Sequence, residues 1–533
     1  MFTACGGSGG EEETSSPDVV VDSKYTIVYK GLSFYKQDLP ASSYQLIPLL
    51  DDEFNGLSKK EQLQVADKLL TTLFFSYDPA TLEAMIQKGD FLESLSNGIM
   101  TLRNNIAEVE RAVLDEDKIY RPTYHKEVVD ILSRFYVTKY LDRYYFNNWM
   151  AYILTQTIMF SPAYELDSTH NPNVASVYNR LVNMIEDEST MQYITYVHMS
   201  SEDNWRRFRS PEDNGREMLE IFTFDDNDKD VPIAATALQN WKLDRDSDTL
   251  VIGLNENTKP LRLFGTTIYN GDDFYRELVK SKGYQLGVVK RLVAFFFTDD
   301  TQQQQDAIVA KIIASHPQTF KDILAQIVFS KEYLLNTARP KSAEELFYSF
   351  AKKTDFQIEK YTIYDFKNAL QDMNQASMKY KLGKLERVPL DTLSFINYDK
   401  YMREQMLMRR SNPQYKDDYT SWSRQGWSDS FIARESYGFV AEDAKASLEN
   451  LINYLFLAIL QRDVTRDELD MFENFMMEDS DGIASVRHLY DLLDERLTTD
   501  GVLRGDEHAR YVTMIVFDYI SRLEDIFVFK KVK

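Results

Sequence analysis

One cysteine, Cys5, stands among 533 residues. Without a second thiol, an internal disulfide framework is excluded, and so is any cysteine-rich zinc site. Histidine is scarce too: His125, His170, His198, His316, His488 and His508 are scattered, with no H-E-x-x-H and no pair four residues apart. Spacing therefore proposes no zinc site. Long hydrophobic runs are missing, the best being LINYLFLAIL at 451–460, well short of the about 20 apolar residues that a membrane-spanning helix needs. Basic charge is also in deficit. Lys and Arg total 61 against 84 Asp and Glu, a net charge of −23, and so acidic a surface repels phosphate backbones and anionic lipid headgroups. Nucleic acid is not an expected partner.

What is present is enough apolar material, 44% of the chain, to bury a large core; length alone would allow about three or four domains. From about residue 58 the apolar period is helical. KKEQLQVADKLLTTLFF places Leu63, Val65, Leu69, Leu70 and Leu73 on one side, and stretches beginning at Gly98, Tyr124 and Asn173 repeat the habit. Helix starts are signed by capping patterns at Ser210-Pro211-Glu212-Asp213, Ser342-Ala343-Glu344-Glu345 and Thr465-Arg466-Asp467-Glu468. Strand signals occur in KYTIVYKG at 24–31 and, more strongly, in TLVIGLNENTKPLRLFGTTIYNG at 249–271, where β-branched runs alternate with Asn-Gly and Gly punctuation. The expected fold is mainly α, a multi-helix body with a small β-ribbon inserted near 249–271. The expected organisation is a tether at 1–22, a main helical domain at 23–375, a loop-rich connection at 376–430, and a C-terminal helical segment at 431–533 packed on the main body.

The first residues, MFTACGGSGGEEETSS, bear on location. Phe2-Thr3-Ala4-Cys5 resembles the lipobox of bacterial lipoproteins, in which small residues precede the acylated cysteine, with Phe2 replacing the usual Leu. Such a signal also needs a basic region and an apolar run of about 7–15 residues, and only four residues precede Cys5. Either the apolar run lies upstream of Met1 or the match is accidental. The run after Cys5 has nothing to bury and reads as a charged, flexible tether; the alternatives are an ordinary cytoplasmic N-terminus or a Gly-Ser linker with a free thiol. Gly6 to Gly10 fits G-x-S-x-G only formally, since that motif needs a strand before it and a helix after it.

Few constellations carry chemistry. Asp244, Asp246 and Asp248 occupy positions 1, 3 and 5 of a calcium-type loop, but Thr249 stands where an EF-hand requires glycine and Asn255 at position 12. An EF-hand is excluded; a looser Ca²⁺ site and a plain solvated acidic loop both remain open, and no other cofactor is expected. MEDSDG at 477–482 fails in the same way. Glu212–Arg216 and Arg216–Glu220 are spaced as helix-surface pairs, yet Met218, Leu219, Ile221 and Phe222 leave so little polar face that a buried network of Arg216, Glu217 and Glu220 is expected. The dense aromatic run RYYFNNWMAY at 143–152 reads as core in preference to a glycan or peptide groove.

Several stretches, in order, resemble the bacterial family catalogued as domain of unknown function number eighteen hundred. PEDNGREMLEIFTF (211–224) is similar to its N-E-N-Y-A-R-E-L-x-E-L-F/H-T-L-G segment at Glu212, Arg216, Glu217, Glu220 and Thr223, and DVPIAATALQNW (230–241) to its D-V-x-x-x-A-x-x-L-T-G-W segment. LFGTTIYNGDDFYRELVKSKGYQLGVVKRLVAFFF, DILAQIVFSKEYLLNTARPKSAEELFYSF (322–350) and the Leu-rich stretch 65–99 resemble further parts, so the likeness spans about residues 60–355. There are departures: the histidine of the family's W-F-N-H-F is Asn148, Pro211 and Asp213 replace two asparagines, and no His-Asp-x-Gly is recognisable between 242 and 260. The resemblance implies an exported protein with no agreed activity, often encoded beside a second exported family of sulfatase-like fold, number fifteen hundred and one. The functional expectation is a lipid-anchored envelope protein, periplasmic or at the outer membrane, that binds or assembles with a protein partner and meets membrane only through its anchor. The rival expectation is an extracytoplasmic hydrolase or metal-dependent enzyme built on Arg216, Glu217 and Glu220, with Asn147 and His198 converging on them. A third is a cytoplasmic helical protein with Cys5 unmodified.

Overall fold

Why the chain folds as helices is visible at the first long one. Ser58 accepts a hydrogen bond from the Glu61 amide (3.3 Å) while the Glu61 carboxylate accepts one from the Ser58 amide (2.8 Å), a reciprocal cap that starts helix Lys59–Phe74. The helix ends where Phe75 and Ser76 take left-handed backbone angles, φ 53° and 79°, and the Lys352 ammonium donates to the Phe74 carbonyl, where the helix dipole favours a cation. In this computed structural model the residues described are 20–23, 26–29, 32–35, 46–101, 141–159, 174–223, 228–354, 356, 369–375, 391–402, 444–477 and 516–532, apart from isolated positions within them. Among them the fold is mainly α, with small antiparallel sheets.

The capping signatures mark real helix starts. Ser210 accepts from the Asp213 amide (3.1 Å) ahead of helix Pro211–Thr223, and full reciprocal caps form at Ser342/Glu345 before Ala343–Lys353 and at Thr465/Glu468 before Arg466–Met477. Apolar side chains from Leu46 through Ile526 make one continuous core among the described residues. Helix Ala444–Leu460 contributes Leu451, Ile452, Leu455 and Phe456 to it, and Phe350 meets Phe517 edge-on at 5.6 Å. Inside the stretch expected to be a loop-rich connection, Thr392–Tyr401 is a helix that buries Tyr398 and Tyr401; most of 376–430 lies outside the described residues.

Strands β1 (Val20–Ser23), β2 (Thr26–Tyr29) and β3 (Leu32–Tyr35) form an antiparallel sheet. The ribbon expected near 249–271 is two hairpins: β4 (Trp241–Leu243) with β5 (Leu250–Ile252), and β6 (Leu261–Leu263) with β7 (Thr266–Ile268). Phe264 and Gly265, at φ 51° and 83°, make the two-residue turn between β6 and β7, the mirror-image type whose twist suits a hairpin. Asn270-Gly271 is no turn. Asn270 caps helix Gly271–Lys280, and Gly271 is needed because a Cβ there would stand 2.5 Å from the Trp241 indole nitrogen. Trp241, stacked on Trp205 at 5.8 Å, pins β4 to the body.

Two further strands, β8 (Arg339–Pro340) and β9 (Val528–Phe529), pair across the molecule. The segment bearing β9 is also held by Arg462, which grips Glu468 through two hydrogen bonds (2.9 and 2.7 Å) and Asp525 through a third (2.7 Å). Burial pushes the Glu468 carboxyl up, but the bonds from Arg462 and Thr465 outweigh it and hold the group down at about 2. A depressed carboxylate contributes stability that is present above its unfolded pKa of about 4.3 and is lost as pH falls toward the folded value. Glu468→Gln should therefore melt earlier than the parent near neutral pH, with the gap in Tm closing as pH drops toward 2; a gap independent of pH would refute this.

Candidate functional site

Helix Pro211–Thr223 buries Asn214, Gly215, Met218, Leu219, Ile221 and Phe222, a stripe two residues wide that recurs every three to four positions. The 100° step then puts positions 212, 216 and 220 on the opposite side. Arg216 is 45% exposed by its side chain and pairs with Glu212 (3.5 Å) and Asp228 (2.9 Å); Glu220 is exposed and Glu217 half-buried. The expected buried network of these three residues is thus corrected to a solvated helix face.

Asn147 and His198 do not join that face. Asn147, buried in helix Arg143–Thr157, donates to Glu186 at the end of helix Val174–Glu186. His198 is 2% exposed and meets the Phe222 ring at 6.5 Å, on the packed side of the helix that carries Arg216 outward. Burial, then the guanidiniums of Arg180 and Arg207, push His198 down to about 3. It is neutral near pH 7, far from the range in which a general acid or base works best.

The Asp244 carboxylate accepts from the amides of Asp246 and Ser247 (both 2.9 Å) and from the Ser247 hydroxyl (3.0 Å), which hold its pKa below the usual range. It closes its own turn. No group of three or more His, Cys, Asp or Glu is placed to hold a metal among the described residues, and no described helix is long and apolar enough to cross a membrane. Asp248, Cys5 with the tether up to residue 19, and His125, His170, His488 and His508 lie outside the described residues, while the last tether positions, 20–22, belong to β1. The aromatic run at 143–152 is core: Tyr145, Phe146, Trp149 and Tyr152 are all buried. A cleft of about 290 Å³ between helices Pro79–Gln87 and Phe91–Met100 is lined mainly by apolar atoms of Tyr77, Met85, Phe91 and Leu95, with Lys88 and Asp90 exposed beside it.

The densest buried chemistry is elsewhere, in residues not singled out from the sequence as a site. Helix Lys59–Phe74 supplies Asp67, Lys68 and Thr72; the segment after helix Lys331–Leu334 supplies Arg339 and Lys341; helix Ala343–Lys353 supplies Glu345 and Lys353. Arg339 is wholly buried and uses its entire donor fork, on both Glu345 oxygens (2.8 and 2.7 Å), the Tyr333 hydroxyl (3.0 and 2.9 Å), Thr72 Oγ1 (3.2 Å) and the Pro340 carbonyl (3.0 Å). Burial alone would lower its pKa, but Glu345 and Tyr333 outweigh that and hold it above the ordinary value. Lys353 pairs with Asp67 at 2.7 Å and donates to the Ile459 carbonyl (3.0 Å). Lys68 donates to the Thr337 carbonyl, and burial, then Arg339, keep it well below the usual lysine value. Phe529 of β9 closes over the top, 4.7 Å from both the Arg339 guanidinium carbon and Lys341 Nζ.

Arg339 has no donor left for a substrate, so its evident work is to tie three distant stretches together. A sequence signal existed. Asp67 and Lys68 sit inside an apolar stripe, and Arg339, Lys341 and Glu345 crowd the capped start of a buried helix, within the 322–350 stretch quoted above for its resemblance.

No protein-family model, curated protein or solved structure matches the chain.

Proposed function

We propose that this is an exported, lipid-anchored component of the bacterial cell envelope that acts by binding a protein partner, without catalysis of its own. The observation that carries the binding reading is the outer strand of the first ribbon. Among the described residues β5 pairs on one side only, with β4, and there Val251 and Ile252 are 44% and 57% exposed, followed by a fully exposed Leu254. An open strand edge with protruding apolar side chains is the form that accepts an added strand from another protein, and apolar clusters on an otherwise charged surface mark interaction sites. Arg216 and Glu220, the core of the enzyme reading, face solvent. The address rests on Phe2-Thr3-Ala4-Cys5 and the tether, and the partner class, an exported protein of sulfatase-like fold, rests on the family resemblance.

Affinity capture from envelope fractions tests both halves. The native protein should carry a lipid mass on Cys5 and retain a partner of that class, and a Val251→Asp/Ile252→Asp double variant with unchanged circular dichroism should lose the partner at least tenfold. An unmodified Cys5 removes the anchor, and undiminished capture by the double variant removes the ribbon as the binding edge.

A further inference from the structure

Between β4 and β5 the Gly253 amide donates to the Asn240 carbonyl (2.8 Å) and the Asp244 amide to the Thr249 carbonyl (2.9 Å), with Lys242 opposite Val251. Bonding residues alternate along an antiparallel pair, so Thr249, Val251 and Gly253 face β4, and Leu250 and Ile252 turn their amides and carbonyls to the open side. Among the described residues nothing bonds those four groups. The other flank of the ribbon is closed, because Trp241 and Leu243 of β4 are buried and Trp241 stacks on Trp205 of helix Glu202–Arg207. A proline, a bulge or a charged side chain ordinarily keeps sheet edges apart, and Leu250–Ile252 has none of them.

Resting on the reading of β5 as a binding edge, we propose that in the absence of another partner a second copy of this chain covers it, the two β5 strands running antiparallel about a two-fold axis at Val251. In that register Leu250 faces Ile252 of the second copy, Ile252 faces its Leu250, and Val251 meets Val251. All four open backbone groups on each copy are then bonded, and every facing pair is apolar. In a chain of net charge −23, the uncharged run Thr249–Asn255 is where two copies can approach without opposing like charges. Lys242 stands three strand spacings from its copy, about 14 Å, beyond the screening length of about 8 Å at physiological salt. Three residues a side bury far less than the about 1,200 Å² of a stable interface, so the dimer is weak and an incoming strand can displace it.

Cys5 is the only thiol, which makes the register measurable by cross-linking. In a Cys5→Ser background, Val251→Cys places a thiol opposite its copy at a non-hydrogen-bonded pair, about 4.5 Å between Cα atoms and within disulfide reach. Ile252→Cys places it two residues out of register, about 8 Å from its copy and beyond that reach. Under mild oxidation the first should give a covalent dimer at least tenfold faster than the second. Sedimentation of the parent from about 1 µM to about 1 mM should show a monomer–dimer equilibrium that is lost in Val251→Asp/Ile252→Asp with unchanged circular dichroism. A parent that stays monomeric throughout, or Ile252→Cys cross-linking as fast as Val251→Cys, overturns the proposal. Capture from envelope fractions separates the two readings: a monomeric parent whose double variant loses the captured protein sinks the dimer alone, and a dimer whose double variant still captures it sinks the edge as a partner site alone.

Discussion

Replacing Arg339 by methionine should cost about 3–5 kcal/mol of folding stability, the loss expected when one member of a buried ion pair is removed. The size follows from what is left behind. Glu345 would keep its caps from the Ser342 amide (2.9 Å) and its own helix start but lose both guanidinium bonds, and the Tyr333 hydroxyl, Thr72 and the Pro340 carbonyl would each lose a donor. A buried charge without its partner bears most of the penalty. Urea titration should show a lowered midpoint, and limited proteolysis should show earlier cutting near β9, because Phe529 packs on the guanidinium that is gone. The double variant Arg339→Met/Glu345→Met should recover much of the loss, since apolar residues of similar volume can replace a buried pair at little cost. A single variant as stable as the parent would mean that the cluster does not hold the fold together.

Trp149→Ala should cost about 3–5 kcal/mol as well, by the cavity it opens. Trp149 is 1% exposed, stacks on Phe146 at 5.4 Å, meets Phe296 at 6.4 Å, and donates from its indole nitrogen to the Thr72 carbonyl (2.8 Å). Trp149→Phe keeps much of the packing and loses the hydrogen bond, so its cost should be smaller, about 1–3 kcal/mol. Thr72 links the two predictions, its carbonyl serving Trp149 and its hydroxyl serving Arg339 and Tyr333. Residues that share a partner do not behave additively. The Arg339→Met/Trp149→Ala double variant should lose measurably less than the sum of the singles, and strict additivity would count against Thr72 as the joint.

The parts legible in the sequence are those whose causes are local. The caps at Ser210, Ser342 and Thr465, the helix Lys59–Phe74, and the strands between 250 and 268 depend on residues a few positions apart, so their signals survive in one dimension, whereas β4 at 241–243 carried no such signal. Burial of 143–152 was legible too, since so many contiguous aromatics have few places to go but a core. The surface position of Arg216 and Glu220 was misread for a definite reason. Met218, Leu219, Ile221 and Phe222 look like an apolar surround when counted, but at 100° per residue they fall on one side and leave the charges outside. Asn270-Gly271, in the same way, looks like a turn until Trp241 arrives to occupy the space beside Gly271.

By itself, the sequence determined a mainly helical chain with acidic surface, its helix starts, its short ribbons, and the exclusion of disulfides and cysteine-rich zinc sites. Only tertiary structure decided where the buried charge lies. Asp67 and Lys68, Arg339 to Lys353, and Phe529 are hundreds of positions apart, with Lys68 meeting the Thr337 carbonyl across 269 residues. Their local signals, charges inside an apolar stripe and at a capped helix start, do not say which of them meet. The cost of burying a charge, and the need to pair it, exist only once distant segments have excluded water around it.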